Sequence, residues 1–241
     1  MNIARKIEKK INSIKEGSTF TYQDLAIKKE EYTATAKTLE RLIKKGIIKR
    51  VSTGIFYKPK QTVFGELKPN EEEIIKPYLF KNGKRIAYIT GTFLYNKMGL
   101  TPQIPKEIKI ASREKRIYIT KGNINAKAVK SYVDVSATNY KLLEFLDALK
   151  DFKRIPDLDK KSAIEILKSK LLKFNQKQIK DLIKFAIKYP PRVRAFLGAL
   201  LEELRIETGI EKLQESLNPL SEYSFGLSKN ILQTVENWDI K

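Results

Sequence analysis

The sequence predicts an α+β protein built from two domains, and three observations lead to this prediction. Its 241 residues suit one large domain or two small ones. Apolar residues recur at helical spacing near the amino terminus and again beyond residue 140, whereas the region between them alternates like β-strands. Charge is segmented, because residues 1–60 carry a net charge of +9 and residues 61–80 carry −2. We therefore expect a boundary between residues 66 and 67.

The first sixty residues predict three helices and a hairpin. Isoleucines at positions 3, 7, 11 and 14 indicate a first helix that ends at Gly17. A short helix is expected over 22–26 with Thr21 as its cap. A third helix runs from Thr33 to Lys45, burying Ala36, Leu39, Leu42 and Ile43, and stops at Gly46. Two β-prone runs, 47–52 and 55–58, follow around the Thr53-Gly54 link.

Three helices followed by a basic hairpin is the order of a winged helix-turn-helix, so we expect residues 1–66 to bind DNA. The third helix would present its first turns to the major groove, and the hairpin, or wing, would offer cations to phosphates. A protein-binding winged helix, or a basic three-helix cap on a larger domain, is the alternative. The candidate DNA-binding residues are Tyr32, Thr33, Thr35, Lys37, Arg41, Lys49, Arg50 and Lys58.

Residues 67–241 predict a basic mixed α/β domain with a helical carboxy-terminal region. Three glutamates at 71–73 suit the first turn of a helix that runs to Phe80. A strand over 86–89, a helix over 91–98 stopped by Gly99, and strands over 107–111, 116–120 and 131–135 follow. This sheet contains lysines and tyrosines, including Tyr118 and Tyr132, and they leave two possibilities open. Residues 81–137 bind RNA, or these side chains simply lie on the solvent-exposed face of a small sheet.

Beyond Tyr140 the pattern is helical, with apolar stripes over 142–149, 164–171, 179–187 and 193–204. Pro191 suits the first position of the last of these helices. We expect these stripes to form a core. A protein-docking module that uses the carboxy-terminal helices is the alternative.

Composition favours a binder over an enzyme. The chain has 48 Lys and Arg against 28 Asp and Glu, a formal charge of +20, and neither Cys nor His. Thiol nucleophiles, thiolate zinc sites and His-based catalysis are excluded, and no phosphate-binding Gly-rich loop occurs. Residues 156–161 contain Asp157 and Asp159 in a PD and DxK pattern like that of restriction-type nucleases. Asp159, however, better suits the cap of the helix that follows. We expect no cofactor and no metal, and a cytoplasmic protein that does not enter membranes.

Three segments resemble AbiEi-type antitoxins and a related uncharacterised winged-helix family. They are Gly54–Pro59 at the wing, Gly91–Pro105 and Tyr189–Glu203, in the same order over nearly the whole chain. The resemblance implies a bacterial antitoxin of an abortive-infection, phage-defence operon. It would repress its own promoter and counteract a nucleotidyltransferase-like toxin without requiring direct contact. Thr35, Lys37, Arg50 and Lys58 match positions where such domains touch DNA; the other two segments imply packing.

Overall fold

A computed structural model describes residues 2–63, 65–67, 69–114, 119–121 and 124–241. Within these residues the architecture is a mixture of helices and several small sheets, so the predicted α+β class is confirmed. The chain divides into two compact units, Met1–Arg85 and Ile86–Lys241. They are called the amino-terminal unit and the carboxy-terminal unit below.

The amino-terminal unit combines three α-helices with short antiparallel strands. Its elements in chain order are α1 (Ile3–Ser13), β1 (Thr19–Thr21), a 3-10 turn (Lys29–Glu31), α2 (Tyr32–Lys44), β2 (Lys49–Ser52), β3 (Ile55–Tyr57), β4 (Lys60–Thr62), β5 (Gly65–Leu67), α3 (Glu71–Leu79), β6 (Phe80–Lys81) and β7 (Lys84–Arg85).

A three-stranded antiparallel sheet in the order β1-β3-β2 holds this unit together. Apolar side chains of α1, α2 and the sheet form a core, with Ile7, Ile11, Leu39 and Phe56 fully buried. The hairpin link contains Gly54 at a φ of +74°, a conformation that glycine adopts without steric cost. The predicted hairpin over 47–58 is therefore confirmed, with shorter strands.

The segment from Tyr22 to Ala26 is a turn, so the short helix expected there is wrong. The carboxylate of Asp24 accepts hydrogen bonds from the backbone N–H of Thr21 at 2.7 Å and from its hydroxyl at 2.9 Å. Thr21 thus donates and does not cap a helix. Ala26 has a positive φ of 44°, which ends the turn. Strand β1, which precedes it, was not predicted.

Helix α2 buries a face displaced by one position from the predicted one. Its buried residues are Thr35, Thr38, Leu39 and Leu42, whereas Ala36 and Ile43 are half-buried. The spacing i, i+3, i+4, i+7 is kept, but it begins at a threonine that the hydrophobic pattern ignored.

Helix α3 belongs to the amino-terminal unit, which extends past the predicted boundary at residue 66. Asn70 caps the helix by accepting a hydrogen bond from the N–H of Glu73 at 2.8 Å. The carboxylate of Glu73 accepts from the N–H of Thr19 at 2.9 Å, and its carbonyl accepts from the Thr19 hydroxyl at 2.6 Å. These bonds connect α3 to β1, 54 residues earlier in the chain.

The carboxy-terminal unit places a small sheet beside a group of helices. Its elements are β8 (Ala87–Thr90), α4 (Thr92–Lys97), β9 (Ile108–Ser112), β10 (Ile119–Lys121), β11 (Ile124–Lys130), α5 (Tyr140–Asp151), α6 (Lys160–Leu171), α7 (Gln176–Ala186), α8 (Pro191–Glu203) and α9 (Ile210–Glu215). The sheet order is β10-β11-β9-β8; β9 and β11 are parallel and the other pairs are antiparallel.

The sheet differs from prediction at its last strand in chain order. The strand is Ile124–Lys130, whereas the predicted strand over 131–135 is irregular. There the hydroxyl of Ser131 donates to the carbonyl of Val133 at 2.7 Å and closes a local turn. Of the strand expected over 116–120, residues 116–118 lie outside the described residues. Residues 119 and 120 belong to β10.

The four predicted apolar stripes of the helical region form one buried core, except for the exposed Ile187 and the half-buried Leu204. The segments Gly91–Pro105 and Tyr189–Glu203 contribute Tyr95, Leu100 and Phe196 to it. Gly198 on α8 faces the indole ring of Trp238, and a Cβ there would lie 2.2 Å from ring atoms. This glycine therefore makes room for the tryptophan.

One carboxylate lies inside this core. Asp147 on α5 is 1% exposed and accepts hydrogen bonds from the hydroxyls of Thr90 at 2.7 Å and Tyr88 at 3.0 Å. The ammonium of Lys150 donates to it at 2.8 Å. Because each partner is a donor, the buried charge is both paired and hydrogen-bonded.

Candidate nucleic-acid interface

The first turns of α2 present a polar surface to solvent. Thr33 and Lys37 are exposed and lie one helical turn apart, on the side of α2 opposite its buried residues. Tyr32, the first residue of the helix, has half of its surface exposed. Thr33 and Lys37 therefore share one accessible face, and Tyr32 is exposed beside that face at the start of the helix.

A series of aromatic contacts connects this end of α2 to strand β2. The ring of Tyr32 lies 4.7 Å from that of Tyr22, and Tyr22 packs edge-on against Phe56 at 5.4 Å. The guanidinium of Arg50 lies 5.8 Å from the centre of the Phe56 ring. Burial, followed by the neighbouring Tyr32, raises the pKa of Tyr22 above the ordinary value of a tyrosine.

We call this surface the α2–β2 face and define it by Tyr22, Tyr32, Thr33, Lys37 and Arg50. Among the described residues, no carboxylate lies within ion-pair distance of Lys37 or Arg50. The face thus offers two cations, hydroxyl groups and aromatic rings, the groups that proteins use to contact phosphates and bases. Sequence reasoning missed Tyr22, because it placed that residue in a helix and no spacing rule connects it to Phe56.

A carboxylate next to the α2–β2 face is neutralised locally. Glu31 precedes Tyr32 and accepts hydrogen bonds from the N–H of Lys28 and from the ammonium of Lys6, both at 2.9 Å. The backbone bond, followed by the bond to Lys6, lowers the pKa of Glu31. Its negative charge is therefore matched by a cation at the start of α2.

Thr35 does not belong to an accessible surface. Its side chain is fully buried and its hydroxyl has no hydrogen-bond partner among the described residues. The expectation that Thr35 touches DNA is therefore corrected: this residue faces the core of the amino-terminal unit, because it occupies the buried stripe of α2.

Arg41 and Lys49 are exposed but engaged in ion pairs. The guanidinium of Arg41 lies 2.7 Å from the carboxylate of Glu8, and the ammonium of Lys49 lies 2.7 Å from that of Glu66. Such exposed pairs contribute little stability, and a competing phosphate could displace the carboxylates. These two residues are secondary candidates on the surface.

Lys58 has a structural role that the sequence did not indicate. Its ammonium donates to the carbonyls of Ile11, Asn12 and Ile14, at 3.2, 2.9 and 2.8 Å. A cation there donates to carbonyls at the end of α1 and meets the negative end of the helix dipole. The expected phosphate contact of Lys58 is therefore corrected, since its donors are already used.

The second predicted nucleic-acid surface, the basic sheet, is only partly described. Tyr118 lies outside the described residues. The ring of Tyr132 packs against that of Tyr189 at 4.4 Å, and the ammonium of Lys150 lies 5.6 Å from its centre. Tyr132 is thus already in contact with an aromatic ring and a cation of its own unit, which leaves less of it for stacking on a base.

The carboxylates singled out in the sequence have local roles. Asp159 accepts a hydrogen bond from the N–H of Ser162 at 3.1 Å and caps α6, as predicted. Asp157 accepts a hydrogen bond from the side chain of Gln103. In the part of the chain that the structure describes, no group of three or more acidic side chains is arranged to hold a metal ion. None of the described helices has the length and apolarity that a bilayer crossing requires.

Comparison with known proteins identifies the family. The crystal structure of the RV2827C protein from Mycobacterium tuberculosis is similar in fold, with a TM-score of 0.53 at 9% sequence identity, covering 93% of this chain and 85% of that one. No curated protein matches the sequence. The model of a family of unknown function, DUF6088, matches residues 6–182, well over half of the sequence. The chain therefore belongs to the DUF6088 family.

Proposed function

We propose that the amino-terminal unit is a winged helix that binds duplex DNA through the α2–β2 face, and that the protein represses its own promoter in the cytoplasm. The order of elements supports this proposal: α1 is followed by β1, a turn region that includes the 3-10 turn, α2 and the β2–β3 hairpin. A single observation carries it. The exposed start of α2 and Arg50 of β2, which has no carboxylate within ion-pair distance among the described residues, lie on one surface connected by Tyr22 and Phe56.

Each residue of the α2–β2 face has a part in this proposal. Tyr32 and Thr33 stand at the amino-terminal end of α2, where a recognition helix meets base edges. Lys37 and Arg50 would contact phosphates on either side of the groove and set the position of the helix. Arg41 and Lys49 would add weaker contacts after exchanging their carboxylate partners for phosphates.

Binding of the promoter fragment upstream of the chain's own operon tests the proposal. We expect the full chain to bind this duplex more tightly than a random duplex of equal length, with affinity that falls steeply as salt rises. Lys37→Ala together with Arg50→Ala should weaken binding by about tenfold or more. Because each of these side chains would neutralise one phosphate, each substitution should also flatten the salt slope by about one unit.

A matched control lies on the same helix. Lys44 and Lys45 are exposed cations at the far end of α2, about 10 Å from Lys37 along the helix axis. Lys44→Ala with Lys45→Ala removes the same total charge at the far end of α2, away from Lys37 and Arg50, and should change affinity much less. Equal losses in the two double variants would show that binding depends on net charge alone. Equal affinity for promoter and random duplex would rule out a specific operator.

We extend the proposal to an antitoxin role, which the resemblance of Gly91–Pro105 and Tyr189–Glu203 to AbiEi-type antitoxins supports. The gene next to that of this chain would then encode a nucleotidyltransferase-like toxin. Co-expression tests this role directly: growth arrest by the neighbouring protein should be relieved by this chain. If the neighbouring protein is harmless, or if the chain does not relieve arrest, the antitoxin role fails while the DNA-binding proposal stands.

A further inference from the structure

A groove in the carboxy-terminal unit has features of a binding site that DNA recognition does not use. It is an open cavity of about 440 Å³ between α4, α5, α7 and the end of α6. Its floor is apolar and consists of Leu94, Met98, Phe145 and Phe174. Two of these residues pack against each other: the rings of Phe145 and Phe174 meet edge to face at 5.8 Å.

The rim of the groove is basic. Lysines 97, 141, 170 and 173 line it, together with a single carboxylate, Glu144. Among the described residues, no carboxylate lies within ion-pair distance of Lys141, Lys170 or Lys173, although other lysines of this unit are paired. Four lysines against one carboxylate give the rim a net positive charge. This charge creates a local positive potential without bringing polar groups into the floor.

We infer that this lysine-rimmed groove docks an acidic amphipathic segment of a partner protein. Such a segment places leucine, methionine or aromatic side chains in a groove at helical spacing, and its carboxylates meet cations at the rim. The positive charge of the rim favours a negatively charged partner, and the apolar floor favours a peptide over a nucleic acid. A phosphate backbone would satisfy the lysines but would bring nothing apolar to the half-buried Met98 and Phe174.

Docking at the groove does not depend on DNA binding. The groove residues belong to the carboxy-terminal unit, whereas the α2–β2 face belongs to the amino-terminal unit. Substitutions in the groove therefore leave the proposed DNA contacts unchanged, and either proposal can fail without the other.

Methionine NMR gives a direct measure of occupancy. The chain has two methionines, Met1 and Met98, and Met98 lines the groove. With methyl-¹³C methionine in the full chain, a short synthetic helix with leucine and phenylalanine on one face and glutamate elsewhere should shift the Met98 methyl signal. A poly-glutamate peptide and a single-stranded oligonucleotide serve as the charge-only and nucleic-acid probes, and both should leave that signal nearly unchanged.

Charge reversal at the rim supplies the matched variants. Lys141→Glu with Lys173→Glu should weaken binding of the amphipathic peptide by about tenfold or more. Lys177→Glu with Lys180→Glu makes the same charge change at exposed positions of α7 outside the groove and should have little effect.

Three results would overturn the inference. The first is an unshifted Met98 signal at saturating peptide, and the second is equal loss of peptide affinity in both double variants. The third is stronger displacement of the Met98 signal by the oligonucleotide than by the peptide, which would make the groove a nucleic-acid site.

Discussion

The ammonium nitrogen of Lys58 lies 2.8 Å from the carbonyl oxygen of Ile14, so a lysine of the hairpin closes the end of the first helix. Two more carbonyls of that helix end accept from the same nitrogen. Lys58→Met keeps the aliphatic stem and removes these bonds. It should lower the free energy of unfolding by about 1–3 kcal/mol, as expected for hydrogen bonds to a charged group.

Urea unfolding followed by circular dichroism measures this effect. Lys60→Met, a change of the same kind at an exposed position of β4, is the control and should leave stability nearly unchanged. If Lys58→Met were as stable as the parent chain but bound DNA more weakly, Lys58 would be a phosphate contact after all.

Thr35 and Thr38 offer a matched pair on the buried face of α2. The hydroxyl of Thr35 has no partner among the described residues, whereas that of Thr38 donates to the carbonyl of Ala34 at 2.8 Å. Because Thr35→Val removes an unsatisfied buried group at nearly constant shape, it should be neutral or stabilising by up to about 1 kcal/mol. Thr38→Val should be destabilising. Urea midpoints of the two variants in the reverse order would contradict the assigned hydrogen bonding.

The polar cluster around Asp147 predicts a loss of stability at alkaline pH. Burial opposes the charge of Lys150, but the carboxylates of Asp147 and Asp151 together outweigh it and raise the pKa of this lysine. Burial, followed by repulsion from Asp147, raises the pKa of Tyr88. The unfolded chain therefore releases protons from both groups first, near pH 10. Their contributions are complete below that pH and are lost as pH rises above it.

Tyr88→Phe isolates one part of this dependence. The variant should be less stable at neutral pH, because Asp147 loses a hydrogen-bond donor. Between about pH 9 and pH 11, however, its free energy of unfolding should fall less steeply with pH than that of the parent chain. The difference in slope should correspond to roughly one proton fewer released on unfolding. Urea unfolding at a series of pH values measures both quantities. Parallel pH profiles for parent and variant would show that Tyr88 ionises alike in the folded and unfolded chain.

The close contact between Trp238 and Gly198 predicts that adding a single methyl group at position 198 displaces the indole ring. Gly198→Ala should be destabilising by about 1–3 kcal/mol or more, because the added methyl overlaps the ring. Trp238 is the only tryptophan of the chain, so a red shift of its emission reports the displacement. In Gly198→Ala with Trp238→Leu, the combined cost should be less than the sum of the two single costs. Full additivity would mean that the methyl group meets something other than Trp238.

Much of the fold could be predicted wherever the sequence pattern of a single helix, cap or hairpin is sufficient to identify it. The stripes of α5, α7 and α8, the cap at Asp159 and the β2–β3 hairpin each depend on residues a few positions apart. The strand β1 was missed because its three residues are too few for periodicity. The strand β11 was missed because alanine and lysine alternate there without strong β-propensity.

The candidate site was predictable only in part. The exposed positions Thr33 and Lys37 follow from helical spacing, but the partners of Arg41, Lys49 and Lys58 lie 17 to 47 residues away in the chain. A count of basic residues cannot distinguish a lysine that caps a helix from one that is available to contact a phosphate. Tyr22 joined the surface through tertiary contacts that no local pattern encodes.

The aromatic contacts from Tyr32 through Tyr22 to Phe56 also bear on the thermodynamics of any ligand that binds there. The rings are already packed in the free protein, so side-chain conformational entropy is lost during folding and not during association. A ligand that spans α2 and β2 meets a surface of fixed spacing, which favours partners of matching shape over partners that merely carry opposite charge.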